Sequence, residues 1–202
     1  MKTKRMDTRR LVLLAMLSGI LLVMSFTPLG YLNIGPLAIS LNMIPVAIGA
    51  VALGPGGGAF LGAVFGITSC LQCIGIGGTS AMGVILFEIS PVLTVIQRLF
   101  TRVLAGWLTG VVYHLLKKHT VKYAVYLAGF CAALFNTVFF MAALVLLFGR
   151  TEYLQDLIAG RNVLLFIVSF VGINALVELL ADTLAVGTVC KALEKLKMIG
   201  GK

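Results

Sequence analysis

Arg98 and Arg102 stand one helical turn apart inside a long apolar stretch, residues 91–116. A charged side chain in hydrocarbon costs at least about 2.5–3.5 kcal/mol, so the pair has to face a partner, a cavity or a ligand. Further polar groups also fall in apolar stretches: Asn136, and Asn174 with Glu178 at i, i+4 spacing on a face that Asp182 continues. If these side chains share one buried surface, two chemistries are open. One is a structural network in which Glu178 neutralises an arginine. The other is a site for a small polar solute, with an arginine gripping its anionic group. The planar fork of arginine suits a carboxylate better than the point charge of lysine does. Two arginines against one nearby Glu178 leave positive charge over, which favours an acidic ligand. Asn33, Asn42, Gln72, Thr79, Ser80, Glu88 and Ser90 lie in or beside the outer loops, where they can close such a site.

The elements that must hold these groups are membrane helices. Of 202 residues, 60% are hydrophobic and only 11% charged. Soluble domains run nearer to about 25% charged, so the composition is that of an integral membrane protein. The fold class expected is an all-α, six-helix membrane bundle in a single domain, residues 1–202. Its spans are expected at about 11–28, 41–53, 55–69, 91–117, 122–148 and 162–195, the second and third being short for a hydrocarbon core of about 30 Å. A Gly-rich loop is expected over residues 74–83 and a polar loop over 149–161. The first span resembles a signal peptide, but no small-x-small cleavage site follows, and an uncleaved helix is expected.

The net charge of +9 is clustered. Lys2, Lys4, Arg5, Arg9 and Arg10 precede the first apolar run; Lys117, Lys118 and Lys122 lie mid-chain; Lys191, Lys195, Lys197 and Lys202 close it. Basic clusters at the ends of apolar runs are the positive-inside signature, so both termini and the Lys117–Lys122 turn are expected in the cytoplasm. The same clustering argues against nucleic acid as a partner. Small residues recur at every fourth place: Gly58, Gly62 and Gly66; Gly106 and Gly110; and Ala15 with Gly19. Such stripes let helices approach closely, either within the chain or against another one.

Several chemistries lack their motifs. There is no G-x-x-x-x-G-K-[ST], H-E-x-x-H or G-x-S-x-G, so no nucleotide loop, zinc-protease helix or nucleophile elbow is expected, and the chain is read as a non-enzyme without a cofactor. Cys70-x-x-Cys73 has no second pair or histidine beside it to complete a four-ligand metal site. Cys131 and Cys190 make four cysteines in all, too few for a disulfide scaffold. Energised transport would need an ATPase on another chain.

The order of motifs resembles the substrate-binding S components of energy-coupling-factor (ECF) vitamin transporters, over nearly the whole chain. The resemblance rests on Thr68-Ser69-Cys70-Leu71-Gln72-Cys73, Ser90-Pro91-x-Leu93-Thr94, Arg102-x-Leu104-x-Gly106-x-x-x-Gly110, Asn136-Thr137 and Asn174-x-x-x-Glu178. Ala15-Met16-Leu17-Ser18-Gly19 is similar to the stripe by which such components contact their transmembrane partner. The pattern is closest to the pantothenate-type subgroup and departs from it at Ser90, Thr101 and Arg98. The resemblance implies a six-helix bundle in the bacterial plasma membrane that binds a small anionic vitamin, pantothenate first, near the extracellular face. It implies as partners a transmembrane coupling subunit and two cytoplasmic ATPases. The substrate-binding residues expected are Arg102, Arg98, Asn136, Asn174, Glu178, Gln72 and Asn33, with Ala15 and Gly19 touching the partner. A self-sufficient secondary carrier or channel for a small anion is the alternative.

Overall fold

The first span starts earlier than expected: helix α1 runs Thr8–Ser25. This computed structural model describes residues 8–33, 38–77, 80–119, 123–160 and 162–196. The expectations placed on Lys2, Lys4, Arg5, Gly35, Pro36, Gly78, Thr79, Lys122, Arg161, Lys197 and Lys202 lie outside those residues.

After α1 the chain makes a 3-10 turn, Pro28–Gly30, and two short strands, β1 (Tyr31–Asn33) and β2 (Ala38–Ser40). The strands pair antiparallel with Tyr31 opposite Ser40 and Asn33 opposite Ala38. A hairpin therefore stands where a plain loop was expected. Helix α2 (Met43–Leu53) is apolar and buried along most of its length. Its Pro45 is tolerated because it falls in the first turn, where the amide has no partner within the helix. Gly54 then takes φ +86°, a left-handed turn that suits glycine, and Pro55 opens α3 (Pro55–Cys73) with its φ already helical.

Two further short helices appear: the first overlaps only the end of the loop expected at 74–83, whose residues 74–77 are turn, and the second lies within the loop expected at 149–161. Helix α4 (Ala81–Ile89) is capped by Ser80, whose Oγ accepts from the Gly83 amide at 3.3 Å. Ser90 ends it and Pro91 starts α5 (Pro91–His119). Helix α6 (Ala124–Phe148) follows, then α7 (Glu152–Ile158). Thr151 Oγ1 caps α7, accepting from the Leu154 amide at 3.4 Å, and Glu152 complements the first-turn dipole. Left-handed Ala159 and Gly160 (φ 49° and 69°) end it. Helix α8 (Val163–Lys195) completes the chain. The described residues thus hold eight α-helices rather than six. Four of them, α1, α3, α5 and α6, are long and apolar enough to cross a membrane by the described residues alone.

The most extensive helix pair is α3 with α5, and the glycine stripes explain it. A Cβ on Gly58 would strike the Gly106 carbonyl, one on Gly106 the Gly58 carbonyl, and one on Gly62 the Arg102 carbonyl. Without those side chains the two backbones touch, which is how helices gain dispersion energy where lipid is as apolar as the protein. One apolar cluster, including Leu17, Leu21, Met43, Val46, Phe65, Ala128 and Val186, joins α1, α2 and α3 to α5, α6 and α8. A second, including Met82, Leu86, Met141, Leu144 and Leu154, is where α4 and α7 pack on α6. Large apolar side chains such as Phe100, Leu146 and Val168 are exposed, as a lipid-facing surface requires.

Candidate ligand-binding site

Between the end of α1, the hairpin and helices α3 to α6 and α8 lies a cavity of about 420 Å³. That volume is in the range of small-molecule sites, roughly 300–1,000 Å³. Arg98, Arg102, Gln72, Asn136, Asn174 and Glu178 all line it. Six of the seven residues expected to bind substrate are therefore brought together. Asn33 is in β1, but its side chain is outside what the structure describes.

The two arginines are 4% and 6% exposed and are held differently. Arg98 donates from Nη1 to Ser69 Oγ at 2.8 Å and from Nη2 to Ser80 Oγ at 3.1 Å, which ties α5 to α3 and to the cap of α4. Arg102 donates from Nη1 to the Arg98 carbonyl at 3.1 Å, within its own helix. Its guanidinium stacks 4.4 Å from the Phe65 ring centroid and 5.7 Å from that of Phe140. Neither Nε has a partner. The rings cover part of the Arg102 guanidinium, and its Nε is a donor that the protein does not use.

Glu178 does not close an ion pair with an arginine, as the structural alternative would have it. Its Oε1 accepts from the Ser40 amide at 2.7 Å, so the carboxylate joins α8 to the hairpin. Arg102 attracts it through space and the Thr137 hydroxyl approaches it. Gln72 is likewise engaged: its Nε2 donates to the Ser25 carbonyl at 2.6 Å and fixes the end of α1 against α3. Asp182, one turn further along α8, is buried outside the cavity, with neither carboxylate oxygen partnered.

Spacing alone missed Tyr31, Ser40 and Phe140, which also line the cavity. Burial pushes the Tyr31 phenol above its usual pKa, outweighing the pull of Arg102 and Arg98, so it stays a neutral donor. Its hydroxyl approaches Asn42 and Gln72 without closing a hydrogen bond to either. No periodic pattern marks Tyr31, because a hairpin places it; the nearest signal is its position between Pro28 and Pro36. All four cysteines are free, Cys73 Sγ lying 3.2 Å from the Ser69 carbonyl. Among the described residues no three His, Cys, Asp or Glu side chains gather as metal ligands.

The family model of the ECF transporter substrate-specific component matches residues 9–189. The chain belongs to that family. No curated protein matches it significantly. As an ECF substrate-specific component it is a multi-pass membrane protein, and membership implies association with an energy-coupling module of a transmembrane component and ATPases.

Proposed function

We propose that this ECF component captures a small anionic vitamin in the cavity between α5, α6 and α8, with pantothenate the first candidate, and hands it to the coupling module for ATP-driven uptake. In this reading α2 and α8 join the four long apolar helices to give six spans. Both termini are cytoplasmic and the site opens outward from a bacterial plasma membrane. The observation that carries the proposal is the charge of the cavity. Among the described residues lining it, Arg98 and Arg102 face Glu178 as the single carboxylate, and neither arginine is bonded to it. An anionic ligand supplies the missing negative charge where desolvation makes each charge-assisted hydrogen bond count.

The test is mass spectrometry of small molecules retained by the purified chain, followed by uptake of the identified compound in cells with and without the ATPase subunits. An acid is expected, with uptake lost when the ATPases are absent. A retained cation would overturn the anionic reading. Gradient-driven uptake by the purified chain in vesicles would return the self-sufficient carrier.

A further inference from the structure

The cavity is charged asymmetrically. Its arginines come from α5 and Glu178 from α8, with α6 packed against both helices. Around Arg102 the cavity lining offers donors: Arg102 and Tyr31 both line it, and the protein itself leaves the buried Arg102 Nε and Tyr31 hydroxyl without partners. At Glu178 the unused capacity is acceptor capacity. A carboxylate offers about four lone-pair sites, and Ser40 N–H with the Thr137 hydroxyl engage only part of them. Asn136 and Asn174 flank this end, Asn174 one turn from Glu178 on the same helix face.

Resting on the anionic reading above, we infer that the ligand is bifunctional: an acid at one end, held by Arg102 and Tyr31, and a hydrogen-bond donor at the other, received by Glu178. A hydroxyl, amide or amine at the far end meets this requirement. A plain monocarboxylic acid does not, because it would bury Glu178 against an apolar tail and leave that carboxylate short of partners. A dicarboxylic acid fails for the opposite reason, since its second acid would meet Glu178 as a like charge. Glu178 is thus the residue that sets specificity and orientation, while the arginines supply the attraction.

The Glu178→Gln variant separates this role from a merely structural one. Glutamine keeps an oxygen for the Ser40 amide but replaces the second acceptor with an NH₂ donor, so the hairpin contact survives and the ligand's donor loses its partner. Affinities of the full-length purified chain, wild type and Glu178→Gln, would be measured for three sets of probes. Acids with a remote donor are pantothenate and biotin; acids without one are octanoate and lipoate; pantothenol keeps the donors and lacks the acid. The expected result is that an acid-with-donor probe binds best and loses tenfold or more in Glu178→Gln, while octanoate and lipoate bind the variant as well as or better than the wild type, because the amide lifts the cost of burying a carboxylate against their tails. Equal binding of the plain acids in wild type, or a uniform loss for every probe in the variant, overturns the inference and leaves the anionic reading standing. Binding of pantothenol alone, or of no acid at all, overturns both.

Discussion

Arg98 and Arg102 are one turn apart, yet their guanidiniums have unequal hydrogen-bonding capacity left for a ligand. Arg98 spends Nη1 and Nη2 on two serines, whereas Arg102 spends Nη1 on a carbonyl of its own helix. Arg102→Ala is therefore expected to cost about 2–4 kcal/mol of ligand binding, the loss typical of a desolvated charged pair broken on one side. Arg98→Ala should weaken binding less and lower the melting temperature more, because Ser80 and with it the start of α4 lose their tie. Titration of the retained ligand and a thermal melt of each variant would check both. A reversed order would make Arg98 the ligand contact. Asp182 presents the contrary case, fully buried with both oxygens unpartnered. An ionised carboxylate there would carry the cost of about 2.5 kcal/mol or more that applies to charge at membrane depth. Asp182→Asn keeps the shape and removes that cost, so its melting temperature is expected to equal or exceed that of the wild type. A clear fall would mean that Asp182 has a partner in the working protein. Charged residues in apolar runs were legible because hydrocarbon makes them expensive. Tyr31 and Ser40 were not, since a hairpin contact across 138 residues, from Ser40 to Glu178, leaves no trace in local spacing.

The α3–α5 pair is the frame that holds both arginines, and it depends on hydrogen atoms where other residues carry a side chain. Gly106→Leu would drive a branched side chain into the Gly58 carbonyl and Val46, where neither backbone can retreat without moving its helix. Overpacking of this kind typically costs about 1–3 kcal/mol. Here it should also weaken ligand binding, because the next contact along the seam is Gly62 on the Arg102 carbonyl. A thermal melt with a ligand titration tests this; unchanged values in both would mean that the two helices are not in backbone contact. The long helices could be read from apolar length, and the seam from its four-residue glycine spacing. Helices α4 and α7, with 9 and 7 residues, could not. Such short helices are marginal in isolation and form here by packing Met82, Leu86 and Leu154 onto α6. The glycines at 75 and 77, both with positive φ, made the segment before α4 read as loop throughout.

Seen as a whole, the molecule keeps its polar site among α3 to α6 and α8 and leaves one face of α1 bare. Ala15 is exposed, no described residue comes within 4 Å of a Cβ built on Gly19, and the groove beside it is lined by Met16, Ile20, Val23, Met24 and Leu29. The α1 stripe therefore differs from the glycines of α3 and α5, whose space is filled from inside. A small-residue groove that no described helix enters fits close approach by a helix of another chain, which in the proposed function is the coupling component. For this partner to reach α1 while ligand enters from outside, the proposed orientation must hold. In a background without native cysteines, an impermeant thiol reagent added outside should label a cysteine at Gln155, exposed on α7, and not one at His119; the reverse pattern would invert the topology. Within that orientation, Ala15→Trp and Gly19→Trp place an indole in the groove, whose lining shares no residue with that of the cavity holding Arg102 and Glu178. Complex formation with the coupling module and cellular uptake are expected to be lost, while the isolated chain retains its ligand with unchanged affinity. The retained affinity matters as much as the loss, since a misfolded α1 would release Gln72 from the Ser25 carbonyl and disturb the cavity as well. Normal assembly and uptake by either variant would show that the groove faces lipid, and the coupling surface would then have to be sought on another helix.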